Sequence, residues 1–459
     1  MSIQNKLAQR RIFREGVKHC TFNPDGPGVV RIHLVPPKPA ARGTAPYVVI
    51  LNGYYLLPLG YSWALLLSAL IDAVNVYDGA ELSEDDIDDI VSRTLRTMRR
   101  TYPLTPRSRF CADLADMMGV LFDIAAGGSP DAEIEQLSIR AYAAHMTAPH
   151  RMDLMVSAMT DESGCWKCNQ RCKFCYAAGQ GYAQVKEMST EQWMQAIDRL
   201  REAHVPMVTF TGGEPTQRED LCALVAHARW FVTRVNTNGV LLSETLAQEL
   251  RRAGLDSIQI TLYSADAAVH NALVGSEHHA DTLRGIENAV RAGLDVSVNT
   301  PLCRSNADYL STLRLLHAMG VRFITLSGLI CTGAARTQDS EDLTEDELLA
   351  IVKDAEAFCR EHDMDMDFTS PGLIAKDKLD ALGLHTPACG AALSNMAIAP
   401  DGTVVPCQSW LGTDAGLGNI LNDEFERIWS HPRCLELRGM SEEQALHCPF
   451  RAQNRKGGE

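Results

Sequence analysis

The sequence predicts an α/β protein built on a parallel sheet, with a strand-then-helix module ahead of it and a cysteine-bearing hairpin behind it. Three observations lead there. From Arg151 onward, short apolar runs alternate with amphipathic stretches every ~30 to 40 residues, as βα units do. Before Arg151, two strand-like runs precede several helical ones, and near the end two short strands flank Asp401-Gly402. With 459 residues, 46% of them hydrophobic, the chain has length for about three domains and apolar surface for their cores.

Taken in order, the N-terminus scatters Lys6, Arg10, Arg11, Arg14 and Glu15 without an apolar run, so no secretion signal is read and a cytoplasmic location is expected. Residues 29–35 read as a strand, Pro36 to Pro39 as a proline-rich link, residues 47–51 as a second strand and residues 62–74 as a helix. The stretch from Tyr47 to Ile71 carries no charge and is nominally long enough to cross a bilayer. Asn52, Gly53, Pro58 and Gly60 interrupt it, Asp72 and Asp78 follow it, and no basic cluster anchors it, so no membrane association is expected. Ser83 is a helix N-cap, with Glu84, Asp85 and Asp86 in the first turn and Ile87, Ile90, Val91 and Leu95 as the apolar stripe. Further helices are expected over 110–125 and 132–145.

About six βα units follow. Strands are expected over 154–160, 207–211, 232–236, 257–262, 295–300 and 323–327, and helices over 191–202, 218–230, 243–252, 282–291, 307–319 and 345–362. The acidic run 340–347 reads as a solvated helix start. With 58 acidic against 43 basic residues the net charge is −15, which repels polyphosphate and excludes a nucleic-acid partner.

The fourteen cysteines are read as thiols or metal ligands, since no secretion signal points to a disulfide framework. Cys20, Cys111, Cys222 and Cys359 stand singly and read as small buried hydrophobes. After the first strand of the series comes Cys168-Asn169-Gln170-Arg171-Cys172-Lys173-Phe174-Cys175-Tyr176. Three thiols at this spacing leave one corner to fill: a structural zinc would need a fourth ligand such as Cys165, whereas a [4Fe-4S] cluster could keep one iron open. The second strand ends in Thr211-Gly212-Gly213-Glu214-Pro215, where the glycines allow close backbone approach and the carboxylate can meet an amino group.

These two motifs together resemble the radical S-adenosylmethionine (SAM) superfamily over about residues 151–362. The resemblance implies a partial (βα)6 TIM-like barrel, in which Cys168, Cys172 and Cys175 bind three irons of a [4Fe-4S] cluster and SAM chelates the fourth. Gly212, Gly213 and Glu214 would bind the cofactor, Glu214 through its amine. Asn238, Ser264 and Asn299 fall at the family's other cofactor positions, with Tyr176 near the adenine; each is equally readable as a loop, capping or rim residue. Cys165 is not needed as a ligand. The implied chemistry is reductive cleavage of SAM to a 5′-deoxyadenosyl radical that takes hydrogen from a substrate, fed by a low-potential donor such as flavodoxin or ferredoxin.

Cys389 and Cys407 flank the hairpin, and the following segment runs through Gly418-Asn419-Ile420, Ile428-Trp429 and Arg438 to Cys448-Pro449. It resembles the SPASM or twitch extension of radical SAM enzymes, which carries auxiliary [4Fe-4S] clusters. Arg451 stands where a partner of Cys448 would be. One auxiliary cluster is therefore expected, on Cys389, Cys407 and Cys448 with Cys434 as fourth ligand; a zinc-bound hairpin is the alternative. Cys303 and Cys331 follow the fifth and sixth strands and are candidate hydrogen donors to a substrate radical, or else packing residues.

The whole resembles the maturases of ribosomally made peptides, with a winged-helix-like α+β domain over 1–105 to capture a precursor peptide, a helical linker over 106–150, the barrel over 151–365 and the SPASM or twitch-like extension over 366–459. A radical SAM dehydrogenase or cofactor-biosynthesis enzyme acting on a small molecule is the alternative. Which bond is made or broken is not legible in the sequence.

Overall fold

The computed structural model describes residues 2–12, 16–22, 29–38, 45–77, 82–126, 136–143, 145–161 and 163–449. The chain divides into two compact units, the first being Met1–His150 with Trp230–Val232 and the second Arg151–Arg229 with Thr233–Glu459.

The first unit is built on an antiparallel meander of β1 (Lys18–Phe22), β2 (Val30–Val35), β3 (Tyr47–Leu51) and β4 (Tyr55–Leu59), in that order. Asn52 and Gly53, both at positive φ, turn β3 into β4. Pro58, expected to break the chain, sits inside β4 opposite Val48. β4 is an edge strand, where a missing N–H costs no ladder bond. The uncharged run from Tyr47 is thus a hairpin followed by the helix Tyr61–Val74, and among the described residues no helix is long and apolar enough to cross a membrane. That helix, Glu84–Thr101 and Arg107–Ala125 pack Leu66, Ile71 and Met98 with Ile32 and Tyr47 of the sheet. Ser83 caps the second helix as expected, its Oγ accepting from Asp86 N while Asp86 returns to Ser83 N. The helix expected over 132–145 begins outside the described residues; within them only Ile139–Tyr142 is helical. The helix Ile3–Ile12, β1 and β4 were not legible beforehand.

In the second unit, β5 (Arg151–Ser157), β6 (Met207–Gly212), β7 (Val232–Thr237), β8 (Ser257–Thr261), β9 (Asp295–Leu302), β10 (Phe323–Gly328) and β11 (Asp365–Phe368) lie in sequence order as a parallel sheet with helical crossovers. This is the α/β, partial-barrel architecture expected, with one more strand. β11 escaped notice because Asp365 and Asp367 alternate with Met366 and Phe368, giving no apolar run. On β9, Val296, Val298, Thr300 and Leu302 are buried while Ser297 and Asn299 are half-buried, so one face packs and the other stays polar.

The hairpin does not stand apart from this sheet. β12 (Asn395–Ile398) pairs in parallel with β5, setting Ala397 beside Asp153, and β13 (Thr403–Val405) and β14 (Gly418–Asn419) extend the order antiparallel. The turn is the Asp401-Gly402 one, with Gly402 at φ +88° and Asp401 Oδ1 accepting from Thr403 N at 2.9 Å.

Replacing Ser83 with Ala removes the cap from Glu84–Thr101. Chemical denaturation is expected to show a loss of about 1 kcal/mol, and an unchanged curve would contradict the cap's role.

Candidate active site

The loop carrying the first three cysteines leaves β5 and is gripped from its neighbours' backbones. Arg171 N and Lys173 N donate to Val274 O and Leu273 O at 2.9 and 2.8 Å, and Ala334 N donates to Cys175 O at 2.9 Å. A Cβ on Gly275 would lie 2.6 Å from Arg171 O, and one on Gly333 would collide with Cys175 O and Tyr176 O. Both glycines have positive φ, so the close approach and the conformation each require glycine. Phe174 anchors the loop in a buried cluster with Tyr263, Leu273 and Val274.

The three thiols are half-buried and close enough to influence one another. Burial pushes Cys168 up to about 12, with Glu214 and Cys175 adding to it, and burial also raises Cys172 and Cys175. Cys168 Sγ donates to Gly213 O at 3.3 Å, which ties the loop to the turn after β6.

That turn admits only glycine at two places. Gly212 has φ +141° and a Cβ there would collide with Ser157 O; one on Gly213 would lie 2.7 Å from Ala158 O. Glu214, expected to hold the amine, is braced from behind: its side chain is buried, Oε1 accepting from Thr216 N (3.0 Å), Thr216 Oγ1 (2.6 Å) and Thr237 Oγ1 (2.5 Å) and Oε2 from Asn238 N (2.8 Å). A carboxylate offers about four acceptor positions, two on each oxygen, so Oε2 keeps one for a further donor. Glu214 is a brace between the ends of β6 and β7, and burial raises its carboxyl against those bonds.

Asn238 links the brace to the cysteine loop, its Nδ2 donating to Asn169 Oδ1 at 2.7 Å. Asn169 Nδ2 and Gln170 Nε2, between Cys168 and Cys172, are buried with no hydrogen-bond partner among the described residues, as is Asn236 Oδ1 on β7. The sequence reading passed over Asn169 and Gln170 although they lie inside the cysteine motif. Ser264 closes the turn that leads to the helix Ala267–Val274, Oγ accepting from Asp266 N at 3.1 Å and its carbonyl from His279 Nε2 at 3.2 Å, while Asp266 is the helix cap. Asn299 stands on the polar face of β9, beside Thr261 and Thr325. Tyr176 is half-buried, with its phenol near both Cys175 and Cys407.

Cys303 is fully buried with Phe174, Tyr263 and Leu273, and burial pushes it up to about 11, with Glu341 adding to it. Cys331 is half-buried, Cys165 exposed. Of the single cysteines, Cys20 and Cys359 are buried as expected, but Cys111 is exposed and Cys222 half-buried.

A second set of three gathers at the hairpin. Cys389 N donates to Ala445 O at 2.6 Å, bringing the Cys389 and Cys448 segments together. The Cys389 thiol is raised first by its hydrogen bond with Cys448, then by burial; Cys407 is pushed up to about 12 by burial, with Cys448 and Asp153 adding. Cys434 is not among them. It lies buried in the helix Pro432–Arg438, raised by burial to about 11 and facing Arg438, whose guanidinium stacks on Trp429 at 3.7 Å. That cation, with Arg433, is its electrostatic company, and the expected fourth-ligand role is withdrawn.

Residues 167–316 match the radical SAM superfamily, and residues 389–449 match SPASM, an iron-sulfur cluster-binding domain. The chain is 28% identical over 296 residues to the PqqA peptide cyclase of Streptomyces rochei, covering 62% of this chain and 79% of that protein. Among solved structures it resembles Streptococcus suis SuiB bound to precursor peptide SuiA (TM-score 0.58, 13% identity, 86% of this chain and 88% of that one). Native anSMEcpe with bound AdoMet is also similar (TM-score 0.51, 16% identity, 67% and 95%). The structural likenesses establish the fold. The chain carries a radical SAM domain, which takes a [4Fe-4S] cluster and SAM, joined to an iron-sulfur SPASM domain.

The residues present suit such groups. Each set offers three soft sulfur donors, and the unpartnered amides of Asn169 and Gln170 offer donors to a polar ligand beside the first. Among the described residues no three His, Cys, Asp or Glu side chains converge tightly enough to hold a single metal ion.

Gly333→Ala forces a methyl group against the carbonyls of Cys175 and Tyr176. Protein reconstituted anaerobically is expected to lose roughly half its iron, the share of one of two clusters, with circular dichroism unchanged. Full iron content would show that the grip on Cys175 is dispensable.

Proposed function

We propose that this radical SAM enzyme with a SPASM domain modifies a ribosomally synthesised precursor peptide by hydrogen abstraction. Cys168, Cys172 and Cys175 would hold the SAM-binding cluster, and Cys389, Cys407 and Cys448 an auxiliary cluster. When bound, the first cluster and SAM supply a 5′-deoxyadenosyl radical to the substrate. The observation that carries the reading is the set of three half-buried thiols laid over the Gly212-Gly213 turn at the carboxyl ends of β5 and β6.

The chain's own residues then have separable tasks. Gly212 and Gly213 let the backbone come close to the bound cofactor, and Glu214 holds that turn in place while its Oε2, with one donor, keeps a position for the amine. Asn169 and Gln170 present amide donors beside the thiols, and Asn238 fixes Asn169. Ser297, Asn299 and Thr325, on the polar face of β9 and β10, line the side on which substrate is received. Asn299 and Tyr176 keep their proposed cofactor contacts; Ser264 acts through the turn it closes.

The peptide assignment is supported by the names of two relatives, a PqqA peptide cyclase and a SuiB bound to precursor peptide SuiA. Within segment 1–105, strand addition is proposed at β1. The other edge, β4, contains Pro58, which has no N–H to donate, and already meets Leu137 N through Leu56 O at 2.8 Å. A low-potential flavodoxin or ferredoxin would supply the electron. A cytoplasmic location is proposed with it, since reduced clusters and a low-potential donor call for a reducing compartment.

Protein reconstituted under anaerobic conditions with dithionite and SAM is expected to release 5′-deoxyadenosine, and the triple variant Cys168→Ala, Cys172→Ala, Cys175→Ala to release at most ~1% of that. Equal release by both sinks the assignment of the thiols.

If a short precursor peptide is encoded beside this gene, mass spectrometry of it after anaerobic reaction is expected to show a modified core. Removal of the peptide's leader should lower kcat/KM about 100-fold, mainly through KM. Turnover indifferent to the leader, or turnover of a small molecule alone, would favour the small-molecule alternative.

A further inference from the structure

We infer that Gln180 is a positioning residue that couples the two three-thiol sites, so that the state of the second set governs how well the first receives SAM. The inference rests on reading both sets as cluster sites. One amide side chain spans two stretches that are remote in sequence. Gln180 Nε2 donates to Tyr176 O, the carbonyl directly after Cys175, and to Ser409 O at 3.3 Å, two residues beyond Cys407. Its Oε1 accepts from Leu411 N at 3.2 Å. Trp410 N in turn donates to Cys407 O at 2.9 Å, so the segment that Gln180 holds is itself folded back onto the second cysteine.

The surrounding contacts keep this bridge stiff. Tyr182 N donates to Leu411 O at 2.8 Å and Tyr182 Oη to Thr413 O at 3.0 Å. A Cβ on Gly181 would collide with Thr413 Cγ2, so the Thr413 side chain packs directly over Gly181. Tyr176, whose carbonyl Gln180 holds, carries a ring near both Cys175 and Cys407. On the other side Tyr176 O and Cys175 O face Gly333, which leaves the Cys175 corner little room to move independently of Gln180. An amide with all three of these bonds directed to backbone transmits a shift of one segment to the other, because neither can move without breaking one of these half-buried bonds.

The test is a double-mutant cycle on the full chain, reconstituted anaerobically, with SAM affinity read from the SAM-induced change in the electron paramagnetic resonance spectrum of the reduced protein. Gln180→Leu removes all three bonds at similar volume. Gln180→Glu keeps the acceptor for Leu411 N and sets an oxygen against Tyr176 O and Ser409 O. Replacing Cys389, Cys407 and Cys448 with Ala is expected to weaken SAM binding about tenfold. Either Gln180 variant should do nearly the same alone, and combining the changes should add less than about twofold.

Effects that multiply overturn the inference, as does either Gln180 variant having the parent's spectrum and affinity. If Gln180→Leu loads no iron at either site it has misfolded, and Gln180→Glu decides by the same two outcomes. A parent protein with no SAM-dependent spectrum refutes the reading of the first site, and the coupling with it.

Discussion

Three thiols brought out of water beside one another require a backbone that cannot relax away from them. That requirement organises the second unit. Burial drives Cys168, Cys172 and Cys175 upward, and for Cys168 and Cys172 the neighbouring thiols and Glu214 add to it, so the loop gains nothing locally from holding them together. What holds it is external: the carbonyls of Leu273 and Val274, the amide of Ala334, and the missing side chains of Gly213, Gly275 and Gly333. These come from the ends of β6, the segment after β8 and the segment after β10. A parallel sheet delivers all of them to one rim, because every crossover returns its strand in the same direction.

The same constraint explains Glu214. Buried carboxylates are costly unless hydrogen-bonded, and this one collects donors from Thr216, Thr237 and Asn238. The result is a fixed turn, with Gly213 O aimed at Cys168 and Asn238 tied to Asn169. The pairing of β12 with β5 extends the logic to the second set. It makes the hairpin an edge of the barrel sheet, and it brings Cys407 under the influence of Asp153, itself 1% exposed on β5. The two three-thiol sets, proposed to hold clusters, are thus linked both by the sheet and by the hydrogen bonds of Gln180 and Tyr182 to residues 409–413.

Much of this could be read beforehand, for identifiable reasons. The βα period is a property of apolar spacing, so six parallel strands and most of their helices were legible, as were the Ser83 cap and the Asp401-Gly402 turn. Local patterns failed where tertiary context decides. Pro58 reads as a breaker until β4 is known to be an edge, and Asp365 and Asp367 hide β11. Thiol spacing picks out Cys168, Cys172 and Cys175 as a group, but nothing in sequence distance separates Cys434, paired with Arg438, from Cys448, or shows that Cys303 is buried with Phe174 and Tyr263. The grips at Gly275 and Gly333 lie about 100 and 160 residues from the loop's start and are invisible without the fold.

The central claim is that the chain places two iron-sulfur sites at named thiols. The most direct measurement is anomalous diffraction at the iron edge from anaerobically grown crystals of the loaded protein. The account predicts two separate iron peaks, one bonded to Cys168, Cys172 and Cys175 and the other to Cys389, Cys407 and Cys448, with Cys434 beyond bonding distance of either. Iron at only one set, or iron bonded to Cys434 or Cys303, would contradict it.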